Sequence, residues 1–161
     1  MKPRHRPTFR RTYTLLDVMT ASPTEPTPRD KVLHQLTRMY NGLRAIEQDQ
    51  APTTDDWRVC SDAVNLMETL VTGGYVQDAS GLLMDAVTAL AMAGRRHVAG
   101  GAIRLDGAGI QAVRAVLEDY AAALEQLPHR TMVMCHRETE RRISEIHAGR
   151  RRPQDVEVLS L

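Results

Sequence analysis

Residues 54–94 read TDDWRVCSDAVNLMETLVTGGYVQDASGLLMDAVTALAMAG, and this stretch decides the fold. Trp57, Cys60, Val64, Met67 and Val71 recur at spacings of three and four, which is one stripe of an α-helix. Ala79, Leu82, Leu83, Ala86, Val87 and Leu90 make a second, similarly broad stripe. Between them Gly73-Gly74 predicts a tight turn, because glycine enters the left-handed region without a Cβ penalty. The only tryptophan lies here, and no other stretch is as apolar. The reading is a helical hairpin, ending at Gly94, that forms the core. It is scaffold, not a centre of chemistry.

Working outward, Leu33, Leu36, Tyr40, Leu43 and Ile46 predict a helix over 30–48, with Asp30 near its positive end and Gly42 as a weak point. Thr53 or Thr54 is the N-cap candidate of the hairpin's first helix, followed by Asp55 and Asp56. Downstream, residues 95–106 read as a glycine-containing loop, with an extended piece over Ala102–Leu105. Asp106 caps a helix over 107–127 that carries Ile110, Val113, Leu117, Tyr120 and Leu124, and Pro128 ends it. A last helix over about 130–148 carries Met132, Cys135, Ile143 and Ile146 and stops at Gly149. Tyr13–Thr20 has room for a short helix presenting Leu15, Leu16 and Met19 for docking on the bundle, and Pro23, Pro26 and Pro28 mark a loop or extended linker.

The fold class is therefore all-α: a compact antiparallel bundle of four or five main helices with flexible basic ends. A Pro-rich basic arm covers 1–28, the bundle 29–149 and a tail 150–161. A chain of 161 residues is of single-domain size. Aromatics make up only 4%, so Leu, Val, Ile, Met and Ala must build the core, which favours helix packing over sheet. Two distant cysteines, Cys60 and Cys135, suggest buried thiols in a reducing cytoplasm. There is no apolar leader and no run of eighteen apolar residues, so neither secretion nor a membrane span is expected.

Charge is polarised along the chain although the net is +1. Residues 1–12 hold Lys2, Arg4, Arg6, Arg10 and Arg11 with no acid, a local +5. Residues 45–94 hold Arg58 against eight acids, a local −7. Residues 129–152 hold seven arginines against three acids, a local +4, and include Arg137, Arg141, Arg142, Arg150, Arg151 and Arg152. These basic segments are candidate nucleic-acid contacts. Glu138, Glu140 and Glu145 interleave with them, so a salt-bridged, solvated helix face is the plainer reading. Asp55, Asp56, Asp62 and Glu68, and separately Arg95, Arg96 and Arg104, are candidate partner contacts.

No catalytic constellation stands out. No histidine pair has zinc-helix spacing, and the six histidines read as surface or capping residues. Cys135 and His136 are neighbours on a helix and so point about 100° apart, which argues against a Cys-His pair. Neither a G-x-S-x-G elbow nor a phosphate-cradling glycine loop is present. No catalytic, cofactor-binding or metal-ligating residue is assigned.

The segments Lys2-Pro3-Arg4-x-Arg6-Pro7, Leu16-Asp17-x-Met19, Asn65-x-x-Glu68-x-Leu70, Ala91-x-x-Gly94-Arg95-Arg96 and Arg104-Leu105 resemble an uncharacterised group of small helical proteins encoded in prophages and other mobile elements of proteobacteria. The resemblance runs from residue 1 to about 142, through short motifs. It implies a bacterial cytoplasmic setting and brings no established activity. Together these features lead to the expectation of a non-enzymatic interaction protein that binds and modulates a bacterial host protein or complex, such as a defence system. The alternative is a nucleic-acid-binding accessory protein acting through its basic ends. Self-association through an apolar stripe on the last helix is a third reading.

Overall fold

The computed structural model describes residues 12–150. They form six helices: α1 Leu15–Thr20, α2 Arg29–Gln48, α3 Thr54–Thr72, α4 Leu83–Val98, α5 Gly107–Gln126 and α6 His129–His147. No strand is present among the described residues; a single antiparallel bridge joins Pro26 to Pro128. Five of the helices are long and α1 has six residues, where the sequence reading has four or five main helices and room for a short one over 13–20; the basic ends at 1–11 and 151–161 lie outside the described residues.

The architecture is built around α3, which packs against α2, α4, α5 and α6. From Cys60 to Leu70 every residue of α3 is buried except Asp62. Such a helix cannot stay amphipathic, because it has neighbours on nearly every side. Trp57 fixes its N-terminal half to α4: the ring is buried and the indole Nε1 donates to the Leu90 carbonyl at 2.9 Å. Thr53 closes the helix start with a capping box, its hydroxyl taking the Asp56 N–H while the Asp56 carboxylate accepts the Thr53 N–H at 2.8 Å. Gly42 has a reason beyond propensity. A Cβ there would sit 2.3 Å from Val59 Cγ2 and 2.8 Å from the Asp56 carbonyl, so glycine lets α2 cross α3 at close range.

Two connections differ from the sequence reading. The predicted tight turn at Gly73-Gly74 is a ten-residue segment over 73–82, and Ala79 is exposed rather than part of a stripe. Asp78 accounts for the later start of α4: its carboxylate accepts the N–H groups of Gly81 and Leu83 at 3.1 and 3.2 Å, a role the N-cap residue Leu82 cannot perform. At the other end, α4 runs past Gly94 to Val98, so Arg95, Arg96 and His97 form its last turn, where positive charge suits the helix dipole. Residues 99–106 form a loop, from which Ile103 plugs the core.

The proline segment, read from sequence as a loop or extended linker, is strapped to the start of α6. The carbonyls of Ser22 and Glu25 accept the N–H groups of Arg130 and His129 at 2.9 and 2.8 Å. These are first-turn donors of α6, which has no side-chain N-cap because Pro128 occupies that position. In return, Arg130 donates to the Ala21 and Met19 carbonyls at the end of α1, at 3.1 and 3.2 Å.

Candidate functional site

α2 and α6 both pack on α3 and leave a cleft of about 780 Å³ over it. Met39, Val59, Ala63 and Leu66 give it an apolar floor, and Tyr120 of α5 closes its depth, donating to Gln35 Oε1 at 3.1 Å. Thr12 and Tyr13 form one lip: the Thr12 N–H reaches Glu140 Oε1 at 2.6 Å, and the Tyr13 ring meets His136 edge-on with centroids 5.1 Å apart. With Arg130 holding the far end, α1 runs opposite to α6. The volume falls in the range of small-molecule pockets.

Burial dominates the electrostatics of this cleft. It pushes the His136 imidazolium down to about 4, with His129 adding repulsion, so the ring is neutral at physiological pH. It raises the phenols of Tyr13 and Tyr120. Asp62 is exposed by its accessible surface, yet protein atoms crowd around it. That crowding raises its carboxyl despite the opposing pull of Arg38 and Arg58. Such a concentration of perturbed groups in a concave site is a recognised mark of function.

The second feature is a ridge. α1 buries none of its residues, and Leu15, Leu16 and Met19 are 61%, 67% and 68% exposed. Its geometry is fixed all the same, by a capping box between Thr14 and Asp17 and by Arg130 at its end.

The residues singled out from sequence fall in separate places. Asp55 is exposed and pairs with Arg58 at 3.2 Å, and Asp56 caps α3. Glu68 is only 1% exposed and is ion-paired with Arg142, whose Nη1 also donates to Thr69 Oγ1 at 3.1 Å. Thr69 and Thr139 hydroxyls complete this cluster at 2.7 Å. Neither Glu68 nor Arg142 is therefore on the surface to which the sequence assigns it. Arg104 spends its guanidinium on the carbonyls of Ile46 and Gln50 at the end of α2, and Arg96 donates to the Arg104 carbonyl. Arg95 is exposed in the last turn of α4. Of the acidic set only Asp62 reaches the cleft.

Of the basic set, Arg141 is held by Glu138 and Glu145 at 2.7 and 2.5 Å, Arg137 is half-buried and Arg150 is exposed. Lys2, Arg4, Arg6, Arg10, Arg11, Arg151 and Arg152 lie outside the described residues. Much of the α6 arginine face is thus neutralised within the protein.

Tyr13, Gln35, Arg38 and His136 were not singled out as site residues by sequence reasoning. For His136 a signal existed: it shares a helical face with Met132, Thr139 and Ile143. His136 is half-buried and lines the cleft. Both thiols are buried and raised, Cys60 to about 12 and Cys135 to about 11, so neither offers a thiolate near neutral pH. No helix among the described residues is long and apolar enough to cross a membrane. Compared with protein-family models, curated proteins and solved structures, the chain finds no match.

Proposed function

We propose that this is a non-enzymatic interaction protein that docks on a second, different protein through the α1 ridge. The observation that carries the reading is the exposure of Leu15, Leu16 and Met19 on a short helix whose two ends are both tied down. Three large apolar side chains held in one geometry cost little ordering entropy on binding. An apolar display with no internal partner is what protein interfaces use at their centre. The resemblance to mobile-element proteins supplies the setting: a bacterial cytoplasm and a host complex, such as a defence system, as the target to be modulated. The internal pairing of Arg141 and Arg142 favours this reading over nucleic-acid binding, which is left to the two chain ends.

The test is affinity capture from a bacterial lysate by the wild-type chain and by Leu16→Glu, each with and without nuclease, read by mass spectrometry. The expected result is a stoichiometric protein that survives nuclease and is lost with Leu16→Glu. Capture that vanishes with nuclease, or that Leu16→Glu leaves intact, contradicts the proposal.

A further inference from the structure

We propose that the cleft between α2, α3 and α6 binds an organic monocation: an amidinium, guanidinium or ammonium group carried on a flat or apolar body. This goes beyond the docking role of α1 and does not depend on it.

The charge balance of the walls comes first. Asp30, Asp62 and Glu140 face Lys31 and Arg38, a formal balance of −1 with the histidines counted neutral. The three acids are not equivalent. Asp30 lies in the first turn of α2, where the helix dipole complements it, and Glu140 accepts the Thr12 N–H. Asp62 has neither form of support. Among the described residues it accepts no hydrogen bond and has no ion pair, although Arg38 and Arg58 act on it from a distance. An exposed carboxylate that lines the cleft and lacks a short-range protein partner can take a charge-assisted hydrogen bond from a cation brought to it.

The remaining walls select what carries that cation. Met39, Val59, Ala63 and Leu66 present an apolar floor beside Asp62, which suits a hydrocarbon body and not a hydrated metal ion. Tyr13 and His136 add aromatic rings on the α6 side, and the neutral state of His136 keeps that wall from repelling positive charge. Arg38, exposed on α2, is the competing cation. A ligand has to take its place in the field of Asp62, so removing Arg38 should strengthen cation binding and weaken anion binding.

The test is an NMR titration of the full chain with benzamidinium, with benzoate as the opposite-charge control, following the ring resonances of Tyr13 and His136. Expected are saturable shifts with benzamidinium, at least tenfold weaker binding in Asp62→Asn and tighter binding in Arg38→Gln. Both substitutions are at exposed side chains, and an unchanged thermal unfolding curve shows that each variant is folded. Absence of saturable binding, benzoate binding as tightly as benzamidinium, or weaker cation binding in Arg38→Gln would overturn the proposal. The same titration on Arg10→Gln, Arg11→Gln identifies the natural source of the cation. Tighter benzamidinium binding there means that the chain's own arginines compete for the site. Unchanged affinity means a diffusible amine or guanidine. Loss of capture by Leu16→Glu has no bearing on any of these outcomes, so the two proposals fail separately.

Discussion

α3 and α1 sit at opposite extremes of burial. α3 packs on four other helices and hides even a glutamate, Glu68. α1 packs on α6 and hides none of its residues, although half of them are large and apolar. The contrast separates hydrophobicity spent on folding from hydrophobicity that, on the docking proposal, is kept for a partner. In α3 each apolar side chain has protein partners, so a substitution there is read as stability. In α1 the helix is held by its caps and by Arg130, not by Leu15, Leu16 or Met19, so on the docking proposal a substitution there is read as binding.

The largest expected effect comes from breaking the buried pair beneath α6. Glu68→Gln leaves the Arg142 guanidinium with only neutral partners in a buried site, and should cost about 3–5 kcal/mol in chemical unfolding. That corresponds to a fall in Tm of about 10 °C for a chain of this size. The double variant Glu68→Leu, Arg142→Met should recover most of the loss, because apolar groups of similar volume need no pairing.

Next comes the crossing of α2 and α3. Gly42→Ala places a methyl group against Val59 and the Asp56 carbonyl, and should destabilise by about 1–3 kcal/mol through overpacking. A stabilising effect, as helix propensity alone would give, would show that the two helices do not meet there.

A smaller effect is expected from pH. Folding holds His136 at about 4, below its unfolded value, and lowers His129 as well. Between the folded and unfolded values the unfolded chain binds more protons, so stability is full above about pH 6.5 and falls as pH drops towards 4. The raised carboxyl of Asp62 works in the opposite sense, since its folded form takes up a proton first. Of the charged neighbours, Glu140 and Arg137 share the helix of His136, and Asp30, Lys31, His34 and Arg38 line the same cleft from α2. Unfolding at pH 7.5 and pH 5 should differ by about 1–2 kcal/mol, and His136→Gln should remove most of that difference.

The smallest stability effect belongs to α1. Leu15→Ser and Leu16→Ser should each change stability by less than about 0.5 kcal/mol, because both residues are already solvated. A loss of 2 kcal/mol from either would mean that α1 belongs to the core after all.

Much of the framework was legible in the sequence because apolar residues at helical spacing mostly report their own burial, although Leu33 and Tyr40 of the α2 stripe are exposed. Trp57, Cys60, Val64 and Met67 are buried as their stripe predicts, and Thr53 and Asp106 cap α3 and α5 through their side chains. Where the reading failed, a side chain acted at a distance that spacing does not encode. Asp78 delays α4, and Gly94, read as a stop, is a buried point inside the helix. The Glu68–Arg142 pair joins residues 74 apart in the chain. Its one trace in the sequence is an acid between Met67 and Val71, inside an apolar run. The cleft draws on α2, α3, α5, α6 and the residues before α1, so no local pattern could announce it.

The most direct test of the division between framework and display is hydrogen–deuterium exchange on the chain, free and bound to its captured partner. New protection is expected over residues 15–20, with little change in α3, which is already buried in the free protein. Protection confined to the 95–104 region or to α6, with α1 exchanging as in the free chain, would contradict it.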